Sequence, residues 1–535
     1  MSTLRRSGGV RSDRLRSLAA LLAALALVAG CQGSVATSTP TDGQSPTASA
    51  SLPTQPLPTP STRPTAEPTA TPSDVAGPWE PAGTMAIARA APHAVLLGDG
   101  RVLVVGKESW WFSVGVPDDD SARTELWDPA TGAWQTTESL NKPRGHFAAV
   151  PLADGRVLVT GGLNQTDQSY SSTYVYDPRP GYETWSKVGL LGTARTAPAA
   201  AALPDGRVLV AGGYYHIKPT FGRDAAPETV LAAYRPASLP EPASSGPRLA
   251  DIEPPNVGSA LATAELFDPA TGSWSATGPL TFARFGAAAV TLADGRILVV
   301  GSLGSDHGVT VDDRASDSAE IYDPATGRFS LVGPLPDIDR SALEKLGVPG
   351  ANPVPENDPV TEDIGTLVAL DDGGAVLVGH AGYWKHQGEI TRSFRFDAQA
   401  GGWIEIGQTY LYVVEPGGTA VPLVTRGVRR LARAMVARLP DGRVLVAGGA
   451  GTIPEDSPYS KPIELIGMST TAVAELYDPA TNTWSPLPPM PEARAGGAAV
   501  VLTDGSVLLV GGYNDPQPPE VRIDLTSAIR FVPSP

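Results

Sequence analysis

Cysteine is almost missing from this chain: its 535 residues contain one, Cys31. That excludes a disulfide framework and any cysteine-based metal cluster. Histidine is scarce, with six residues. Charge is also low. Asp, Glu, Lys and Arg make up 18% of the chain, below the usual share of about a quarter, and the balance is acidic. A net charge of −16 argues against nucleic acid as a partner, because phosphate binding needs a basic surface. Beyond the first thirty residues no segment is long and apolar enough to span a bilayer.

What the chain has in quantity is glycine (58 residues) and proline (53 residues), with 41% hydrophobic residues. The length suits two to four ordinary domains or one large all-β domain. So many turn residues fit many short strands and do not fit a helical bundle.

The N-terminus reads as an address. Arg5, Arg6, Arg11, Arg14 and Arg16 precede an apolar run at residues 18–29, short for a membrane span and suited to a signal peptide. The run ends in Val28-Ala29-Gly30-Cys31. This resembles the bacterial lipobox, in which a cysteine receives lipid and becomes the new N-terminus. The resemblance implies a signal peptide over residues 1–30, a bacterial extracytoplasmic location, and membrane anchoring through lipid on Cys31. Residues 31–77 are built from Ser, Thr, Pro and Ala, with no aromatic side chain. Such a segment cannot bury enough surface to fold and is expected to act as a disordered tether. It would reach about 40 Å as a coil and about 140 Å fully extended.

From residue 78 the same phrases recur. Asp-Gly before an apolar β-branched run stands at Asp99, Asp154, Asp205, Asp294, Asp372, Asp441 and Asp504, a hairpin signal. An aromatic-Asp pair, in most cases followed by Pro, stands at Trp127, Tyr176, Phe267, Tyr322 and Tyr477, with Phe396 lacking the proline. A glycine turn and another aromatic follow: Trp134, Trp185, Trp274, Phe329, Trp484 and Trp403. Each unit therefore predicts four strands. Trp79 has no first three strands before it, and the last unit stops before its fourth. The strand at Trp79 is expected to complete that last unit, making seven four-stranded blades in a closed ring.

The repeat resembles the kelch β-propeller, in its length near 50 residues and its diglycine after the second strand. The diglycine stands at Gly161-Gly162, Gly212-Gly213, Gly448-Gly449 and Gly511-Gly512, and departs at Gly106-Lys107, Gly301-Ser302 and Gly379-His380. The resemblance covers residues 78–535 and implies an all-β, seven-bladed kelch-type propeller, expected to be a monomer.

Alternating strand direction sorts the loops. The Asp-Gly and Asp-Pro turns share one face. The insertions share the other: 107–122, 214–263, 302–318, 380–392 and 450–472, with 333–363 and 407–432 between blades. Function is expected on that second face. Tyr383 and Trp384 are candidate ligand contacts there, as are His93 and His146, which stand near the channel. Arginines enter the inner strands at the same face: Arg89, Arg144, Arg195, Arg284 and Arg494, with Arg433 placed beside them. In the fifth unit Arg340 stands far from its strand. Two arrangements follow. The arginines could ring the channel mouth and hold an anionic ligand bidentately. Or they could pair with Glu125, Glu265, Glu320 and Glu475, about two strand spacings away, as a clamp within each blade.

Three functions fit. The first is a binding or interaction module presenting the long loops to a glycan or protein. The second is a carbohydrate-active enzyme, because bacterial kelch proteins include a sialic acid epimerase (mutarotase), for which an arginine ring would suit the anionic sugar. The third is an assembly role. Galactose oxidase shares the kelch propeller, but its copper-radical chemistry needs a cysteine joined to a tyrosine, and Cys31 lies outside the propeller. No metal or cofactor is implied.

Overall fold

In the computed structural model the described residues are 77–107, 118–166, 168–216, 259–303, 313–336, 361–363, 365–384, 388–406, 412–414, 420–422, 433–451, 469–514 and 523–534. They belong to one compact unit, Ser73–Pro535. Cys31, the signal segment and the tether up to residue 76 lie outside them. Among the described residues there is no α-helix, only two short 3-10 turns at Asp119–Ala122 and Asp313–Ala315.

Seven antiparallel sheets carry the unit, one per blade, and each runs from an inner to an outer strand. The first is His93–Leu96, Val102–Val105, Thr124–Asp128 and Ala133–Thr137. The seventh is Ala498–Val501, Val507–Val510 and Ser527–Phe531, with Trp79–Thr84 as its outer strand. There Trp79 pairs with Phe531 and Glu80 with Arg530. Inner strands of successive blades touch all the way round, and the inner strands of blades seven and one touch as well. The ring is closed.

Local sequence explains each strand. Second strands such as Val102–Val105 and Ile297–Val300 are apolar throughout and buried throughout, as central strands between packed blades must be. Inner strands are rich in alanine, as in Ala199–Ala202, because seven of them converge on one axis. Outer strands alternate, with Ser273–Thr277 exposed except at Trp274 and Thr277. In each blade the third-strand aromatic faces the outer-strand aromatic. The seven ring pairs have centroids 4.9–6.5 Å apart and tilts of 41–54°, a favourable geometry.

The short turns are locked by their own side chains. Asp128 Oδ1 accepts from Ala130 N at 2.8 Å, and Asp268, Asp323, Asp397 and Asp478 repeat the contact, the Asx turn that Asp-Pro favours. At the other turn Arg101 Nε donates to Asp99 Oδ2 at 2.8 Å, and the pattern recurs at Arg156, Arg207, Arg296 and Arg443. Two of these arginines also latch the next blade: Arg101 to Pro178 O and Glu183, and Arg156 to Pro269 O.

On the opposite face several insertions leave their blades on two-stranded stems. Tyr214–Tyr215 pairs with Ser259–Ala260, Ala450–Gly451 with Ser469–Thr470, and Tyr513–Asn514 with Ile523–Asp524. Blade five carries the longest, the ten-residue strands Ala375–Trp384 and Gly388–Asp397.

Candidate functional site: the arginine tier and the channel mouth

Arg89, Arg144, Arg195, Arg284 and Arg494 are fully buried. Each guanidinium turns into its own blade. Nη1 donates to the first glycine after the second strand: Gly106, Gly161, Gly212, Gly301 and Gly511, at 2.7–3.2 Å. It also reaches a carbonyl just before or at the start of the third strand, at Arg123, Ser172, Thr263, Ser318 or Ser527. These bonds satisfy backbone groups where the ladder has ended and a loop begins.

Three blades add a carboxylate. Arg89 meets Glu125 at 3.1 Å, Arg195 meets Glu265 at 2.6 Å, and Arg284 meets Glu320 at 2.8 Å. The second carboxylate oxygen accepts from the backbone three residues before the arginine: Ala86, Gly192 and Thr281, at 2.6–2.7 Å. One ion pair thus fixes the entering loop, the end of the second strand and the start of the third. The geometry is the clamp. The anion-binding ring is not what these five arginines form, because none reaches solvent.

Blade six keeps the glutamate as the buried Glu475, and the other three blades replace it. In blade two Tyr174 stands at that place, and Arg144 lies 4.6 Å from the ring centre of Tyr170 and 5.0 Å from that of Tyr174, a cation–π arrangement. Burial lowers the Arg144 ionisation to about 10, which leaves it charged at neutral pH. In blade seven Ile529 takes the place, and Arg494 uses Ser527 Oγ and Glu492 instead. In blade five Phe394 takes it, fully buried, and no arginine enters the inner strand there. Acid and base are lost together, as expected when one left alone in the core would cost several kcal/mol.

The backbone of the same arginines joins the blades. Gly162 N donates to Arg195 O, Gly213 N to Arg284 O, Gly449 N to Arg494 O and Gly512 N to Arg89 O, at 2.7–2.9 Å. The diglycine is therefore read twice. At Gly161-Gly162, Gly212-Gly213 and Gly511-Gly512 the first carbonyl binds the guanidinium of its own blade, and the second N–H binds the arginine backbone of the next.

Arg433 is a correction. The clamp arginines stand four residues before the inner strand, and Arg433 stands two before Met435. Its counterparts are Ala91, His146, Ala197, Gly286 and Gly496, and all six have positive φ, from 44° to 63°. These positions are strung together by backbone bonds: Ala91 N to Gly496 O, Gly496 N to Arg433 O, Gly286 N to Ala197 O, and Ala197 N to His146 O, at 2.6–2.8 Å. They form a belt in two arcs of three, just before the inner strands. His146 and Arg433 are its two large side chains, both half-buried.

His93 lies in an inner strand, with its ring 4.6 Å from Phe147 of the next blade, so it packs across a seam. Tyr383 pairs along the backbone with Thr361 and Glu389, and Trp384 with Gly388, in the long blade-five hairpin. The structure brings the five arginines into one repeated role and does not gather them with His93 into a pocket. Two contributors had no obvious sequence signal, the serines Ser172 and Ser527, whose hydroxyls accept from the arginine in two blades that lack the glutamate. Among the described residues no group of three or more His, Cys, Asp or Glu could hold a metal ion.

These features define a seven-bladed β-propeller whose blades are clamped by buried arginines and joined by diglycines. The kelch motif model matches residues 432–491. Residues of this chain are 30% identical to Kelch-like protein 34 of Homo sapiens over 126 residues, 23% of this chain and 19% of that protein. They are 37% identical to Kelch-like protein terF of Aspergillus terreus over 73 residues, 14% of each chain. The matches thus span about a fifth or less of these relatives. Among solved structures, a fungal alcohol oxidase of the AA5 family in complex with copper aligns with a TM-score of 0.49 and 16% identity, over 85% of this chain and 76% of that one.

Proposed function

We propose that this kelch propeller is a lipid-anchored, extracytoplasmic interaction module that binds a protein or glycan through its insertion face. The observation that carries the reading is the contrast between the two faces. One consists of short, self-locked turns latched from blade to blade. The other bears stems on which long insertions stand, above a rigid belt. A rigid scaffold with variable loops on one face is the common architecture of a binding surface, and kelch propellers generally engage proteins. Anchoring follows from Cys31 at the end of its apolar run, with the Ser/Thr/Pro-rich tether as spacer. The sealed arginines give no support to an epimerase-like use of a cationic ring.

The test is a graft. Replacing residues 217–258 and 452–468 by short turns is expected to leave the propeller folded. Binding of glycan arrays and of surface-protein fractions, measured against the unaltered propeller, is expected to fall at least tenfold. Unchanged binding would overturn the use of this face. Separately, Cys31→Ser is expected to release the protein from membranes into the soluble fraction. Retention on the membrane would overturn the anchor and leave the binding face untouched.

A further inference from the structure

Outer-strand indoles bolt most blades to the one before. Trp79 Nε1 donates to Pro488 O, Trp134 to Ala82 O, Trp185 to Thr124 Oγ1, Trp274 to Thr173 Oγ1 and Trp484 to Ile406 O, at 2.8–3.2 Å. Blade four has Phe329 at this place, with no N–H to give. There a second bond stands in: the Tyr322 hydroxyl lies 2.8 Å from Thr277 Oγ1 across the seam between blades three and four. Tyr176 and Thr137 make the same bond between blades one and two, at 2.9 Å.

The seam between blades four and five has neither bond. Trp403 keeps the indole, buried at 7% exposure, but no acceptor meets its Nε1. By register, the threonine that accepts from Trp185 or Trp274 is here Ala319. The tyrosine and threonine of the second bond are here Phe396 and Val332. On the short-turn face Arg101, Arg156 and Arg395 reach Pro178 O, Pro269 O and Pro479 O of the next blade. Arg296 stays on its own Asp294, as Arg207 stays on Asp205. What crosses the seam is a backbone bond from Gly333 N to Gly401 O, a bond from Arg392 Nη1 to Pro336 O, and an apolar cluster that joins Ile321 and Leu335 to Leu367 and Trp403. Apolar contact is non-directional and tolerates sliding. A buried donor without an acceptor raises the energy of the closed seam and is relieved when water enters.

We infer that the seam between blades four and five is the joint at which the closed ring opens. Blade five turns with blade six, to which the Trp484 indole, Arg395 and the Arg438–Asp371 pair hold it. Blade five also carries the ten-residue strands Ala375–Trp384 and Gly388–Asp397, the longest hairpin of the insertion face. Parting at this seam displaces that hairpin against blade four, so the joint is a means of reshaping the face by local opening. The inference rests on the seams alone and does not depend on what the insertion face binds.

The experiment is hydroxyl-radical footprinting of the full chain, read at each tryptophan by mass spectrometry. Trp403 is compared with Trp185, which is bolted and slightly more exposed, 9% against 7%. A ring without a joint oxidises Trp403 no faster than Trp185. An opening joint oxidises it at least about threefold faster. Ala319→Thr supplies the missing hydroxyl. It is expected to bring Trp403 down to the rate of Trp185 and to raise Tm by roughly 1–3 °C. Ala264→Thr, the same change opposite Phe329, is expected to give no gain. A second pair of variants avoids adding bulk to the core. Trp403→Phe breaks no bond and is expected to shift Tm by under about 1 °C, whereas Trp274→Phe breaks the bond to Thr173 and is expected to lower it by roughly 2–4 °C. Oxidation of Trp403 at or below the rate of Trp185, or equal losses in the two Trp→Phe variants, overturns the proposal.

Discussion

Arg284 Nη2 stands 2.8 Å from Glu320 Oε1, and neither side chain has any exposed surface. The pair holds three chain segments at once, through Gly301 O, Ser318 O and Thr281 N. Desolvation lowers the arginine's ionisation, and the neighbouring Glu320 charge opposes it.

Arg284→Ala leaves Glu320 buried without its cation and is expected to cost about 3–5 kcal/mol. Placing phenylalanine at position 320, as blade five has at Phe394, together with Arg284→Met should cost much less than the sum of the single changes. Urea unfolding of the four proteins in the cycle measures the coupling. Additive losses would show that the two groups act independently.

Gly212 separates the diglycine's role from ordinary turn preference. It has φ +67°, and a Cβ there would stand 2.5 Å from Arg284 O of the next blade. Gly206, in an Asp-Gly turn, has φ +88° with nothing near its would-be Cβ. Gly206→Ala is expected to cost about 1–2 kcal/mol, from backbone strain alone. Gly212→Ala adds displacement of the neighbouring blade and is expected to cost about 3–5 kcal/mol. Equal changes in Tm would contradict the inter-blade reading.

Trp79 closes the ring. Its indole donates to Pro488 O at 2.8 Å, and its ring lies 5.1 Å from Phe531. Trp79→Ala is expected to cost about 3–5 kcal/mol. Deleting residues 77–84 bares Ser527–Phe531 as an open edge strand, and the product is expected to self-associate. Size-exclusion chromatography reads the outcome; a monodisperse monomer with unchanged Tm would refute closure by this strand.

Acid should loosen the short-turn face first. The hydrogen bond from Arg207 holds the Asp205 carboxyl below its usual range. At Asp294 desolvation works the other way, but the bonds from Arg296 outweigh it and the net direction is again down. Carboxylates whose pKa falls on folding stabilise the protein above the unfolded value, about 3.9. They lose that contribution as pH drops through the folded value. Stability is therefore expected to hold from neutrality to about pH 5 and to decline below about pH 4. Asp205→Asn with Asp294→Asn should flatten the decline. An unaltered acid profile would place the sensitive groups elsewhere.

The sequence by itself determined the blade count, the strand order and the two turn types. These depend on local chemistry: Asp-Gly and Asp-Pro-x-x-Gly fix hairpins, and apolar runs of four fix buried strands. The missing fourth strand, with Trp79 at the correct spacing, also made the seventh blade legible. Tertiary structure decided the rest. Whether a guanidinium points into a channel or into its own blade depends on acceptors 17 to 70 residues away, and sequence spacing carries no side-chain direction. Arg433 shows the limit, since two residues of offset moved it from the clamp to the strained belt.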